Sequence, residues 1–73
     1  MNKSKRHYRK VKVGDLCLDV EGASRRNGAR VITWKCHSGA NQKFARTKRG
    51  EWKAKHSGKC VNTRTFRQYR CKK

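Results

Sequence analysis

"LCLDVEGASRRNGARVITWKCHSGANQKF", residues 16–44, decides how this chain is read. Cys17 and Cys36 stand near its two ends, Asn27-Gly28 near its middle, and Trp34 two positions before Cys36. Asn41-Gln42-Lys43-Phe44 closes it. Leu16, Leu18 and Val20 alternate with Cys17 and Asp19, the period of two of a strand, which places the three aliphatics on one face. "EGASRRNG" is polar, and Asn27-Gly28 takes positive φ readily, so it reads as a turn or loop. "ARVITWKC" is rich in β-branched residues and reads as a second strand, with Ile32, Trp34 and Cys36 on one face.

The same texture continues on both sides. Residues 1–12 carry six Lys and Arg and no acid. Residues 1–10 read as a basic flexible arm, and strand alternation begins at Val11 with "VKV" before the turn residues Gly14-Asp15. Beyond the opening stretch, "QKFART" and "EWKAK" read as strands joined through "KRG", a hairpin signal at Gly50. "HSGKC" turns again, and "CVNTRTF" resumes a strand. No segment has helical periodicity and proline is absent. The reading is an all-β domain over residues 11–73.

Seventy-three residues make one small domain. With only 33% of residues apolar, a core of this size contributes roughly 3–5 kcal/mol without covalent or metal staples. Four cysteines are the candidate staples, and an even count in a short chain points to disulfides and an oxidising compartment. Four cysteines allow three pairings. An internal echo selects one. "DLCLDV" and "GKCVNT" both set a cysteine early in a strand after a glycine-containing turn, and each is followed by one further cysteine. Their cysteines stand 43 residues apart, and self-similarity at a period of about 20–50 residues marks repeat architectures. The expected pairs are Cys17–Cys36 and Cys60–Cys71. Closing a loop of 15–20 residues stabilises by roughly 3 kcal/mol.

Charge is the strongest compositional signal. There are 22 Lys and Arg against four acids, a formal net charge of +18. Asp15, Asp19 and Glu21 lie close together in sequence, so the remaining surface is expected to be almost uniformly positive. Such a molecule associates readily with polyanions. No segment is apolar for long enough to span a bilayer. The N-terminus begins like the basic region of a signal peptide, but no apolar region follows. The cysteines favour a mature, secreted protein.

With these residues in view, the chain resembles the ricin B-type lectin repeat, the unit of a β-trefoil. The matching pieces are "CLDV" at 17–20, "NGARV" at 27–31, "WKC" at 34–36 and "NQKF" at 41–44, where Phe44 replaces the Trp of the family's Gln-x-Trp signature. The match covers residues 14–56, and a second, truncated unit begins at Ser57. About one and a half repeats imply a partial β-trefoil, and copies that self-associate are one route to completing it. The resemblance implies a carbohydrate site in which Asp19 accepts sugar hydroxyls, Trp34 stacks on the sugar face and Asn41 adds hydrogen bonds, with Gln42 supporting the loop. One position departs: Ile32 stands where the family often has a Gln. The plainer reading of the same residues makes Trp34 core filler, Asp19 a turn acceptor or a partner for Arg30, and Asn41-Gln42 a loop lock.

Four other chemistries are weighed against it, two of which compete. Arg64, Phe66, Arg67, Tyr69 and Arg70 interleave guanidinium groups with aromatics, and Lys3, Lys5, Arg6, Arg9 and Lys10 surround Tyr8, a pattern that grips phosphates and stacks on bases. This gives a polyanion surface, nucleic acid included, although no sequence-reading motif is present. A small, cationic, stapled protein with Trp34 and Trp52 also suits anionic membranes, in a host-defence or toxin-like role. Zinc is disfavoured: no Cys-x-x-Cys occurs and the surroundings are positive. Catalysis is disfavoured too, because there is no paired acid set and no Ser-His-Asp pattern. His7, His37 and His56 read as solvated. The expectation is a non-enzymatic protein without cofactor that binds glycans, acidic ones favoured.

Overall fold

The structure is a computed structural model and describes residues 7–72. Lys3, Lys5 and Arg6, three of the expected polyanion residues, lie outside the described residues. Eight short strands form two antiparallel sheets. β1 (Arg9–Lys10), β5 (Lys43–Arg46), β6 (Trp52–Ala54), β7 (Cys60–Asn62) and β8 (Arg67–Tyr69) make a five-stranded sheet in the order β1-β5-β6-β7-β8. β2 (Lys12–Val13), β3 (Leu16–Val20) and β4 (Val31–Lys35) make the second, in the order β2-β3-β4. Ala40–Gln42 forms a single 3-10 turn, and Glu21–Ala23 is a tight turn in which Gly22 and Ala23 take φ 63° and 54°.

Turn chemistry sets the hairpins. Val13 pairs with Leu16 across Gly14-Asp15, a two-residue connection that requires positive φ, and Gly14 adopts φ 65°. Arg46 pairs with Trp52, and the Thr47 hydroxyl accepts from the backbone N–H of Arg49 and Glu51 to close the intervening loop. Across that hairpin the Arg46 guanidinium lies 4.4 Å from the Trp52 ring centroid, a cation–π contact.

The core is small and shared equally. Leu18, Val20 and Val31 from one sheet meet Phe44, Ala54 and Val61 from the other. Backbone bonds between residues 28–31 and 66–68 join the sheets: Gly28 N–H to Gln68 O, Gln68 N–H to Ala29 O and Val31 N–H to Phe66 O. Gln68 is itself fully buried. Its amide donates to the carbonyls of Ser24 and Arg26 and accepts from the Ser57 hydroxyl. Both expected disulfides are present, Cys17–Cys36 and Cys60–Cys71.

Several local expectations change. The aliphatic face of β3 is not uniform: Leu16 is 41% exposed, whereas Cys17, Leu18, Asp19 and Val20 are all buried. β3 is the middle strand of its sheet, with the core under one face and the Cys17–Cys36 bridge and residues 41–42 over the other. "CVNTRTF" is not one strand. It breaks after Asn62, whose side-chain oxygen accepts from Arg64 and Thr65 N–H, and Phe66 takes φ 54° before β8 begins. Arg9 and Lys10, the end of the expected arm, pair with Phe44 and Lys43, so sheet structure begins before residue 11. His56 is half-buried and hydrogen-bonds Ser24 O at 2.8 Å rather than facing solvent.

The bridges carry much of the stability of so small a core. The Cys17→Ser/Cys36→Ser double variant is expected to lose about 2–4 kcal/mol of unfolding free energy, read as a lower urea midpoint, with an m-value that rises as the unfolded chain is released from its cross-link. An unchanged midpoint would mean that the core alone holds the fold.

Candidate functional site

The site is built on the β3–β4 hairpin. Cys17 lies opposite Trp34, and Asp19 opposite Ile32. Directly opposed residues of an antiparallel pair share a face, so Asp19, Ile32 and Trp34 project to the same side, next to the disulfide. Trp34 is 56% exposed, which rules out a role as core filler. Asp19 is only 4% exposed.

A nearly buried carboxylate requires donors, and the segment after Cys36 supplies them. Gln42 Nε2 donates to Asp19 Oδ2 at 2.8 Å, and Asn41 Nδ2 donates to Oδ1 at 3.3 Å. A carboxylate offers about four lone-pair sites, so each oxygen keeps capacity for a further donor. Gln42 is fully buried. Its second N–H reaches Lys35 O at 2.8 Å, and its oxygen accepts from His37 N–H at 2.8 Å. Gln42 therefore acts on the hollow only through Asp19 and the backbone. Asn41 also donates to Val20 O at 3.1 Å, which engages both amide hydrogens and leaves its oxygen as an acceptor.

His37 joins the site unannounced by the sequence. Its Nδ1 accepts from Gly39 N–H at 2.8 Å, which leaves the proton of the neutral ring on Nε2. That atom lies 3.6 Å from Asp19 Oδ2. The signal was its place directly after Cys36, where the bridge fixes the backbone. Arg30, an alternative partner for Asp19, instead pairs with Glu21 at 3.1 Å.

These groups surround a hollow of about 330 Å³ lined by Asp19, Glu21, Ile32, Trp34, His37 and Asn41, with Gly22 and Ala23 closing one side. Two of the chain's four acids thus face one small cavity on a molecule of net charge +18. An exposed indole, a pre-satisfied carboxylate, an amide oxygen and an imidazole N–H together suit a ligand with one apolar face and several hydroxyls. The cysteines are all in disulfides, so none is a thiolate ligand for a metal.

The expected cationic residues fall into separate groups. Arg9 and Lys10 are exposed on edge strand β1. Arg64 and Arg70 are exposed near β8, whereas the Arg67 guanidinium donates to Gly28 O at 2.8 Å and braces the joint between the sheets.

The chain matches the family model of the ricin-type β-trefoil lectin domain over residues 2–73. Among solved structures it is similar to a designed three-fold symmetric protein, ThreeFoil, with TM-score 0.70 and 28% identity. The match covers 89% of this chain and 63% of the designed one, so the chain spans less than two thirds of that protein's length. The fold is all-β and partial β-trefoil in character, stapled by two disulfides, as the repeat pattern predicted.

Removing the buried amide tests the lock. Gln42→Ala leaves His37 N–H, Lys35 C=O and one Asp19 oxygen short of a partner, and is expected to cost about 2–3 kcal/mol in denaturant unfolding. Gly39→Ala tests crowding instead. Its Cβ would lie 2.6 Å from His37 Cε1 and 2.8 Å from Asn41 Oδ1, so the NMR signals of those two side chains should shift while the chain stays folded.

Proposed function

Because the chain belongs to the family of ricin-type β-trefoil lectin domains, we propose that it is a non-enzymatic carbohydrate-binding protein. Its ligand sits in the hollow against Trp34. The observation that carries this reading is the pairing of a buried, donor-locked carboxylate with an uncovered indole in one cavity. A saccharide has the matching form. Its axial C–H face is apolar and stacks on Trp34, and adjacent hydroxyls donate to Asp19. The Asn41 oxygen accepts another hydroxyl, and His37 Nε2 supplies a donor. Gln42 holds the carboxylate without touching the ligand. Ile32 offers only apolar contact, so polar recognition falls on Asp19, Asn41 and His37.

The cationic surface adds a second layer. At net charge +18 the protein draws anionic partners over a Debye length of about 8–10 Å at ordinary ionic strength. Acidic glycans therefore reach the site faster than neutral ones. Two disulfides fit an oxidising, extracellular setting. Anionic membranes and nucleic acid draw on that charge alone and do not need the hollow.

A glycan array run beside heparin, RNA and anionic vesicles, at low salt and about 0.5 M NaCl, separates these readings. Binding through the hollow should persist in high salt and fall about tenfold, or about 1.4 kcal/mol, in Trp34→Ala. Trp34 is largely exposed, so the variant should keep the fold. Affinity that vanishes with salt and ignores Trp34→Ala would reduce the protein to a bulk polyanion binder.

A further inference from the structure

The second half of the chain repeats the frame of the hollow with opposite charge. In β3–β4, Cys17 opposes Trp34 and is bonded to Cys36, two residues beyond the aromatic. In β7–β8, Cys60 opposes Tyr69 and is bonded to Cys71, again two residues beyond. The residue two after the first cysteine is Asp19 in one hairpin and Asn62 in the other. Tyr69, like Trp34, is uncovered, at 41% exposure.

The lining differs. The hollow beside Asn62 and Tyr69 measures about 600 Å³ and is walled by Arg49, Arg64, Arg70 and Lys72. Its one acid, Glu51, accepts from the backbone N–H of Lys72 at 3.1 Å. Among the described residues, none of those four cationic side chains pairs with a carboxylate. Asn62 uses its oxygen within its own turn, at 2.8 Å from Arg64 N and 3.2 Å from Thr65 N, so its NH2 remains as a donor. Four cations around one concavity repel one another, and an anion with several oxygens relieves that repulsion best.

We propose that this second hollow is an anion subsite that takes a sulfate ester carried on a saccharide, with the sugar ring against Tyr69 and the ester among Arg64, Arg70 and Lys72. The proposal rests on the carbohydrate reading above for its choice of carrier. A tetrahedral ester suits the site because its oxygens accept charge-assisted bonds from several guanidinium groups at once. A nucleic-acid strand is favoured by a row of aromatic plates along a groove, and this hollow offers one.

The test is calorimetric titration with a sulfated oligosaccharide, its desulfated counterpart, inorganic sulfate, RNA and anionic vesicles. The variants are Arg64→Gln/Arg70→Gln and, as a charge-matched control, Arg25→Gln/Arg26→Gln, which alters exposed side chains outside both hollows' proposed contacts. The sulfated sugar should bind about tenfold more weakly to the Arg64/Arg70 variant, and no more than about twofold more weakly to the control, since distant charges are screened. The desulfated sugar should not respond to the Arg64/Arg70 change, and inorganic sulfate should bind the same residues but more weakly. Equal losses in both double variants would overturn the subsite in favour of bulk charge. A matching loss for RNA or vesicles would replace the glycan with that partner. Trp34→Ala, read with a neutral sugar, reports on the first hollow alone, so either site can fail without the other.

Discussion

The hydrogen bonds from Gln42 and Asn41 to Asp19 set the terms for everything near them. A carboxylate that is 4% exposed is a liability unless its oxygens are met, and here two amides from one turn meet them. The same two residues reach Val20 O and Lys35 O, so the turn at Ala40–Gln42 is fastened to both strands of the β3–β4 hairpin. His37 follows, because its backbone N–H is held by Gln42. The hollow is therefore a by-product of satisfying one acid, and its geometry exists before a ligand arrives. Such preorganisation lowers the ordering cost of binding.

The same economy runs through the whole fold. Six aliphatic or aromatic side chains form the buried cluster, too few to oppose the self-repulsion of a +18 molecule by apolar burial alone. Fully buried amides take over part of the task. Gln42 ties the turn after Cys36 to β3, and Gln68 ties the loop at Ser24–Arg26 to β8 and Ser57. Each amide meets its partners in full, which makes a polar interior tolerable. The two disulfides sit where each hairpin would otherwise splay. A protein organised this way depends on geometry at a few points more than on area.

That organisation explains what could be read in advance. The all-β class, the two bridges and the meeting of Asp19, Trp34 and Asn41 were legible because cysteine spacing, strand alternation and the repeat motif are local signals. Leu16 misled because alternation reports a strand's two faces without saying how much covers each. The break between Asn62 and Phe66 was hidden because "CVNTRTF" has strand composition, and the side chain of Asn62 ends the strand through bonds that composition does not encode. Gln68 was missed because Ser24 and Arg26 lie 44 and 42 positions away, and His37 because its role depends on the turn at residues 39–42 folding back onto Asp19. Trp34 could be placed on a face from its register, but its exposure depended on what lay opposite.

A single position accounts for much of the contrast between the two hairpins. At the residue two beyond the first cysteine, a carboxylate demands donors from elsewhere, and Asp19 obtains them from residues 41 and 42. An amide demands less. Asn62 satisfies its oxygen within its own turn, so the second hairpin needs no lock and stays short. The connection from Cys17 to Trp34 is long enough to raise Gly22 and Ala23 as a wall, while the connection from Cys60 to Tyr69 is tighter and its hollow is larger, about 600 Å³ against about 330 Å³. In a chain with so few acids, the acid-bearing frame presents hydrogen-bond acceptors. The frame without an acid at that position is left to the surrounding arginines. One backbone plan thus yields two environments of opposite sign, and the choice between them is made by whether the side chain at that position can be satisfied locally.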